Sequence, residues 1–237
     1  MTDSPRQLSL GVALNDEATL SNFYAPEQSP QAHAVALLKE RLLTAAEPFV
    51  YLWGASGSGV THLLQGACHQ ALDLGLEVQY LPLVELVDYP PEALLEGLEH
   101  LDLVCLDQLH AVAGQPNWEK ALFNFFNRIR DNGNCLLVGA NASARELGVE
   151  LPDLQSRLSW GVTFHLPALT DEDKIALLRF RAELRGMELG ENSARYLLNH
   201  GARGVAELIV ALDQLDSASL EAQRKLTIPF IKETLGW

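Results

Sequence analysis

Cysteine and positive charge are scarce in this chain, and each shortage excludes something. Cys68, Cys105 and Cys135 are the only three cysteines and include no C-x-x-C pair. An odd, unpaired set argues against a disulfide framework or a zinc ribbon and fits a reducing compartment. Lys and Arg total 17 against 31 Asp and Glu, a formal charge of −14. So acidic a body lacks the surplus of cations that phosphate neutralisation needs, and strong direct binding to DNA or anionic lipid is not expected. The deficit is uneven: residues 1–168 carry 8 basic and 20 acidic side chains, residues 169–237 carry 9 and 11. There is no run of about 18 apolar residues to span a bilayer. The opening MTDSPRQLSL holds an acid and none of the apolar stretch of a secretory signal. The seven histidines show no H-E-x-x-H or related spacing, so no metal site built from protein alone is expected. His62 and His69 share a helix face and read as polar surface residues. These absences together predict a cytoplasmic protein without membrane segments.

What is present is a globular composition, 237 residues with 48% hydrophobic and 20% charged side chains, ample for a real core. Short apolar runs alternate with stretches of helical period. Phe49–Trp53, Val78–Leu83, Leu103–Leu106, Cys135–Val138 and Val162–Leu166 read as strands. Thr61–Leu74, Glu92–Glu99 and Trp118–Arg130 read as helices, the last with Leu122, Phe125, Phe126 and Ile129 on one stripe. This alternation predicts a parallel α/β sheet covered by helices on both faces. After Pro167 every segment reads as helix, opened by Thr170 as N-cap with Asp173 three residues on. The expected organisation is an extended arm over residues 1–22, an α/β domain over 23–168 and a small helical domain over 169–237.

The first strand runs through Gly54-Ala55-Ser56-Gly57-Ser58-Gly59-Val60-Thr61 into a helix. Glycines let backbone amides close around phosphate oxygens, and the helix N-terminus adds its positive dipole end. The spacing Gly54-x4-Gly59-x-Thr61 is that of a phosphate loop, with Val60 in the place of the lysine. Losing that charge-assisted bond, roughly 1.5–3 kcal/mol, lowers affinity ~10–100-fold. A flexible turn without a ligand is the bland alternative. Leu103–Asp107 then matches the second nucleotide motif, in which Asp107 would hold the magnesium of a bound nucleotide through water or the Thr61 hydroxyl. Gln108 stands where a water-polarising glutamate is usual, and a lone acid there also serves as a helix cap. Asn141, after the fourth strand, either senses a γ-phosphate or forms a turn. Arg157 is either a surface arginine paired with a carboxylate or one presented to a neighbour's nucleotide. Ser56, Asp107 and His165 follow the chain order of a hydrolase triad, but Ser58 replaces the last glycine of the nucleophile elbow.

Taken together the motifs resemble AAA+ proteins of the DnaA branch, and within it the Hda family of DnaA-homologous regulators. The resemblance runs over Gln7-Leu8-Ser9-Leu10, Tyr51-Leu52-Trp53, Gly54–Thr61, Leu103–Asp107, Leu151–Gly161, Leu212–Asp216 and Gln223–Phe230. It implies a phosphate-loop parallel sheet sandwiched by helices and followed by a helical lid. It assigns Gly54, Gly57, Gly59, Val60, Thr61, Asp107 and Asn141 to the nucleotide site and Arg157 to an arginine finger. Gln7, Leu8 and Leu10 match a clamp-binding peptide. The implied partners are DnaA in its ATP form and the DNA polymerase III sliding clamp (β subunit), with assembly of further copies left open. The implied activity is stimulation of ATP hydrolysis by DnaA, which restrains replication initiation, with the chain itself hydrolysing little. The implied cofactor is ADP, with magnesium only alongside nucleotide. Two departures weaken that site: Val60, and Ala206 where the lid would carry a second sensor arginine, with Arg203 the nearest cation. Alternatives from other classes are a non-catalytic adaptor between clamp and DnaA, and an autonomous ATPase.

Overall fold

The computed structural model describes residues 14–40 and 49–237. The clamp-peptide residues Gln7, Leu8 and Leu10 therefore lie outside the described residues. Two compact units are present. One comprises described residues 14–23, 28–40, 49–55 and 59–166, and the other residues 24–27, 56–58 and 167–237.

In the first unit, strands β1 (Phe49–Trp53), β2 (Val78–Pro82), β3 (Leu103–Asp107), β4 (Cys135–Ala140) and β5 (Val162–His165) form a sheet in the order β2-β3-β4-β1-β5. Every pairing is parallel, with Val50 opposite both Leu137 and Val162. Side chains alternate between faces, so β1 to β4 each supply two cores. Tyr51, Val104, Leu106, Leu136 and Val138 pack with helices α5 (Pro116–Asn132) and α6 (Pro152–Leu158). Val50, Leu52, Cys105 and Leu137 pack with α1 (Pro30–Glu40) and α2 (Val60–Asp73). Burial on both faces explains why β1, β3 and β4 read as unbroken apolar runs. The remaining helical pieces are α3 (Leu83–Leu86), α4 (Pro91–Leu95) and a single turn, Leu98–His100. The helix expected over 92–99 is interrupted because Gly97 takes a left-handed φ of 81°.

Two features depart from the sequence reading. Helix α1 was not anticipated. Ser29 and Pro30 do mark its start, with Ser29 Oγ accepting from the Ala32 amide at 3.1 Å. Its apolar residues, however, lie on exposed as well as buried sides: Ala34 and Leu38 are buried, Ala36 is exposed. That blurs the period. Second, residues 14–22 are not a free arm: Ala18 and Leu20 are buried among the α2 side of the core. The His69 ring nitrogen bonds the Asn15 carbonyl at 3.0 Å, and His62 Nε2 lies 2.9 Å from the Thr19 carbonyl and 2.9 Å from Asn22 Oδ1. Both oxygens are acceptors, so Nε2 carries the proton. The two histidines thus fasten this segment to α2 rather than decorating the surface. Burying Leu20 alone contributes about 1.5–3 kcal/mol.

The second unit holds α7 (Asp171–Leu184), α8 (Glu191–His200), α9 (Val205–Ala222) and α10 (Ile228–Leu235). Their apolar stripes meet at Leu178, Ala182, Leu197, Leu212, Leu215 and Ile231. Helix α7 opens with the capping box read from the sequence: Thr170 Oγ1 accepts from the Asp173 amide, and Asp173 Oδ2 accepts from the Thr170 amide, each at 3.1 Å. Residues 24–27 join this unit, with the Tyr24 ring tilted against Phe180, centroids 5.9 Å apart. Among the described residues no helix is long and apolar enough to cross a membrane.

Candidate phosphate loop and arginine edge

Strand β1 ends at Trp53, and the next amide, Gly54, donates to the Ala140 carbonyl at the end of β4, 3.2 Å away. The chain then turns through Gly57, φ 80°, and Gly59, φ 95°. A side chain at Gly59 is barred twice, by that left-handed φ and by the Phe23 ring, 2.5 Å from where a Cβ would sit. Gly59 is also the N-cap of α2 and offers no side chain to its first turn. The amides of Val60, Thr61 and His62 therefore have no intrahelical acceptor. Thr61 is exposed at this end, and Asn141 is exposed just past Ala140. Gly54, Gly59, Thr61 and Asn141 thus lie at the C-terminal edge of the sheet, where parallel α/β sheets bind ligands.

Val60 and Asp107 are placed differently. Val60 is buried, and a Cβ on Gly139 would stand 2.7 Å from its Cγ1 and 2.8 Å from Asp107 Oδ1. The Asp107 carboxylate is only 1% exposed. Its Oδ2 accepts from the Tyr80 hydroxyl at 2.7 Å and its Oδ1 from the Gln108 amide at 2.8 Å. Burial first, and then the Asp107 charge, push the Tyr80 hydroxyl well above the ordinary tyrosine range, so it stays a donor. Gln108 is left-handed, φ 59°, and its amide oxygen is buried without a partner, a conformation that costs about 1–2 kcal/mol in a non-glycine residue. The amides at the head of α2 are donors of the kind that bind phosphate oxygens. Asp107 as placed is buried, with one bond accepted on each carboxylate oxygen, so it does not reach the surface beside the loop. Among the described residues no group of three His, Cys, Asp or Glu side chains gathers as a metal site.

The hydrolase triad is not assembled. Asp107 is on β3 and His165 on β5, with β4 and β1 between them, a span of roughly 14 Å at ordinary strand spacing. His165 instead stacks on Trp53, centroids 4.0 Å apart.

Arg157 lies at the other edge. Helix α6 precedes β5, whose Val162 pairs with Val50, while Gly161 abuts the Phe49 carbonyl, 2.5 Å from where its Cβ would stand. Phe49 begins β1 and the phosphate loop follows its end, so the edges are separated by roughly 13 Å of strand. The Arg157 guanidinium sits 5.4 Å from the centre of the Trp160 ring, and Arg130 lies 5.9 Å from the same ring. Arg130 is neutralised by Asp131 at 2.7 Å, whereas Arg157 has no carboxylate partner among the described residues. Among the described residues, the surface ion pair that sequence alone allowed for Arg157 is not formed. Trp160 is 51% exposed and borders an apolar cavity of about 230 Å³ lined by Phe49, Phe126, Ile129 and Leu136. Tyr80 and Trp160 were not singled out by any motif; for the second, an aromatic three residues after an arginine was the available signal.

Residues 14–165 match the profile of the bacterial DnaA ATPase domain. The chain belongs to that family. The helical unit adds a second match, residues 171–235 to the lid domain of Hda, so this is an Hda-like, DnaA-homologous AAA+ protein. Domain III of Thermotoga maritima DnaA superposes with a TM-score of 0.75 at 21% identity, covering 95% of this chain and 98% of that one. AMPPCP-bound DnaA from Aquifex aeolicus gives 0.74 at 23% identity, covering 88% and 68%. The RuvB Holliday junction branch migration motor of Thermotoga maritima gives 0.65 at 18%, covering 89% and 69%. At these identities the likenesses establish the AAA+ fold. In the helical unit, Ala206 is exposed on the first turn of α9, and Arg203 is exposed with its carbonyl accepting from Lys174 Nζ at 3.0 Å.

Proposed function

We propose that this DnaA-related protein restrains replication initiation by making DnaA, with the DNA-loaded sliding clamp, hydrolyse its ATP. The observation that carries this reading is Arg157, a guanidinium without a carboxylate partner among the described residues, in a chain of net charge −14, on the opposite sheet edge from the chain's own phosphate loop. It stands too far from that loop to serve it and is free to serve another molecule's. A guanidinium remains charged throughout the accessible pH range and offers a planar fork to phosphoryl oxygens. Inserted beside the γ-phosphate of DnaA-bound ATP, it neutralises charge developing on the transferring group.

The chain's own loop plays the lesser part. Val60 removes the cation, Asp107 is sealed and Gln108 replaces a glutamate, so the loop holds ADP weakly and turns over little ATP. Gln7, Leu8 and Leu10 tether the chain to the clamp, which confines the reaction to replicating DNA. Two leucines entering an apolar pocket are worth roughly 3–6 kcal/mol before ordering costs, so Gln7→Ala with Leu10→Ala abolishes clamp capture. The test is phosphate release from ATP-loaded DnaA, with and without clamp on DNA, on adding wild-type chain or its Arg157→Ala variant. Stimulation by wild type and none by the variant supports the reading. Equal stimulation by both makes the chain an adaptor, and release by the chain alone makes it an autonomous ATPase.

A further inference from the structure

Helix α6, which carries Arg157, has only seven residues, and its N-cap residue, Leu151, gives no side-chain cap. A helix that short does not hold itself together or set its own direction. Leu154 and Leu158 anchor its inner face. Its head is held by a residue from another helix. Glu119, in the first turn of α5, is 3% exposed. Its Oε2 accepts from the amide of Leu151, the N-cap of α6, at 2.7 Å, and from the Glu150 amide at 3.1 Å. Its Oε1 accepts from the Glu150 amide at 3.0 Å and from the Gly114 amide at 2.7 Å. One buried carboxylate therefore gathers three backbone amides. It joins the chain leading out of β3, the start of α5 and the head of the arginine-bearing helix.

We infer that Glu119 is the positioning residue of Arg157: by pinning the head of α6 it sets where the guanidinium at the other end stands. The proposal rests on the reading of Arg157 as a finger. Only a carboxylate does this work well. It presents two acceptors and no donor, whereas a glutamine amide of the same shape turns an N–H toward amide N–H groups. A helix head released by such a mismatch carries its last turn with it, and a misplacement of about 1 Å at a reacting group costs on the order of 100-fold in rate.

The experiment uses the full chain with clamp on DNA and ATP-loaded DnaA, comparing wild type, Arg157→Ala, Glu119→Gln and Leu151→Pro. The last deletes the amide that Glu119 binds while keeping a φ, −80°, that proline accepts. Hydrogen exchange at Glu150 and Leu151 is measured in parallel, together with the melting temperature. Glu119→Gln is expected to lower the saturating rate of stimulated hydrolysis on the order of 10–100-fold. The concentration of chain giving half-maximal stimulation stays unchanged, and the amides at Glu150, and Leu151 where it remains, exchange faster. Leu151→Pro is expected to lower the same rate, and it decides the matter if Glu119→Gln fails to fold. Wild-type rates in a folded Glu119→Gln and in Leu151→Pro overturn the positioning role, as does a change confined to the half-maximal concentration. An Arg157→Ala variant as active as wild type defeats the finger reading itself. Loss in Arg157→Ala with full activity in Glu119→Gln and Leu151→Pro defeats the positioning alone.

Discussion

At the C-terminal edge of the sheet, the phosphate loop has Val60 where a cation would stand, and Asp107 is closed off beneath Tyr80. At the N-terminal edge, Arg157 keeps its charge and lies over an exposed indole without a carboxylate partner among the described residues. One edge lacks a loop cation and keeps its acid buried, while the other presents an arginine that no described carboxylate neutralises. The contrast teaches that one sheet can carry an uncharged phosphate-loop end and a charged arginine end side by side. The two edges share strands but no side chains, so their chemistry varies independently.

The comparison breaks most visibly at Arg157. Fingers supplied in trans contribute about 10³–10⁵ in rate, or ~4–7 kcal/mol of transition-state stabilisation, while an exposed ion pair contributes less than about 1 kcal/mol to folding. Arg157→Ala is therefore expected to remove stimulated hydrolysis and leave the melting temperature in place. Arg157→Lys is expected to fail nearly as badly, because an ammonium lacks the fork. Stimulated phosphate release and calorimetric melting check both. A variant that loses stability instead of stimulation would make the two edges alike.

A smaller effect is expected from adding a cation at the loop edge. Val60→Lys restores a charge-assisted bond of roughly 1.5–3 kcal/mol, tightening ADP ~10–100-fold by titration calorimetry. The melting temperature is expected to drop, because the valine methyls leave the space beside Gly139. Unchanged affinity would mean the loop backbone itself no longer cradles phosphate.

Tyr80→Phe sharpens the contrast further. Deleting the hydroxyl costs about 1–2 kcal/mol of stability and frees Asp107 Oδ2. ADP affinity is expected to be indifferent to EDTA in the wild type and to gain a magnesium dependence in the variant. Magnesium dependence already in the wild type would show that Asp107 reaches the metal despite its bonds.

The smallest effect is with pH. The Tyr80 hydroxyl is raised above its ordinary value of 10.0 by burial and by Asp107. A folded-state value above the unfolded one means that its contribution is complete below pH 10 and is lost as pH rises toward the folded value. Urea midpoints are expected to be flat through neutrality and to fall above pH 10, less steeply in Tyr80→Phe. Tyr51, raised by burial alone, contributes with the same sign and remains in the variant.

The order of strands and helices, the glycine loop, the capping box at Thr170 and the change to an all-helical second unit were legible in the sequence. Each is written in neighbouring residues: an apolar run, a glycine spacing, a cap and its partner three positions on. The first misreadings came where local contrast was weak. Helix α1 has half-buried Val35 and Leu37 and an exposed Ala36 beside its buried residues, and residues 14–22 look like an arm until His62 and His69 bind their carbonyls. The candidate site was half legible. Its residue types could be named, but whether each was available could not, because availability depends on what stands nearby in space. Asp107 is sealed by a tyrosine 27 positions earlier, and the head of α6 is held by a glutamate 32 positions earlier than the amide it binds. Arg157 was separated from the loop only when the parallel order β2-β3-β4-β1-β5 sent them to opposite edges. Sequence determined the elements because hydrophobic period and turn chemistry act over a few residues. Tertiary structure decided which charges are spent and which are free, because burial and hydrogen bonding join residues that the chain keeps far apart.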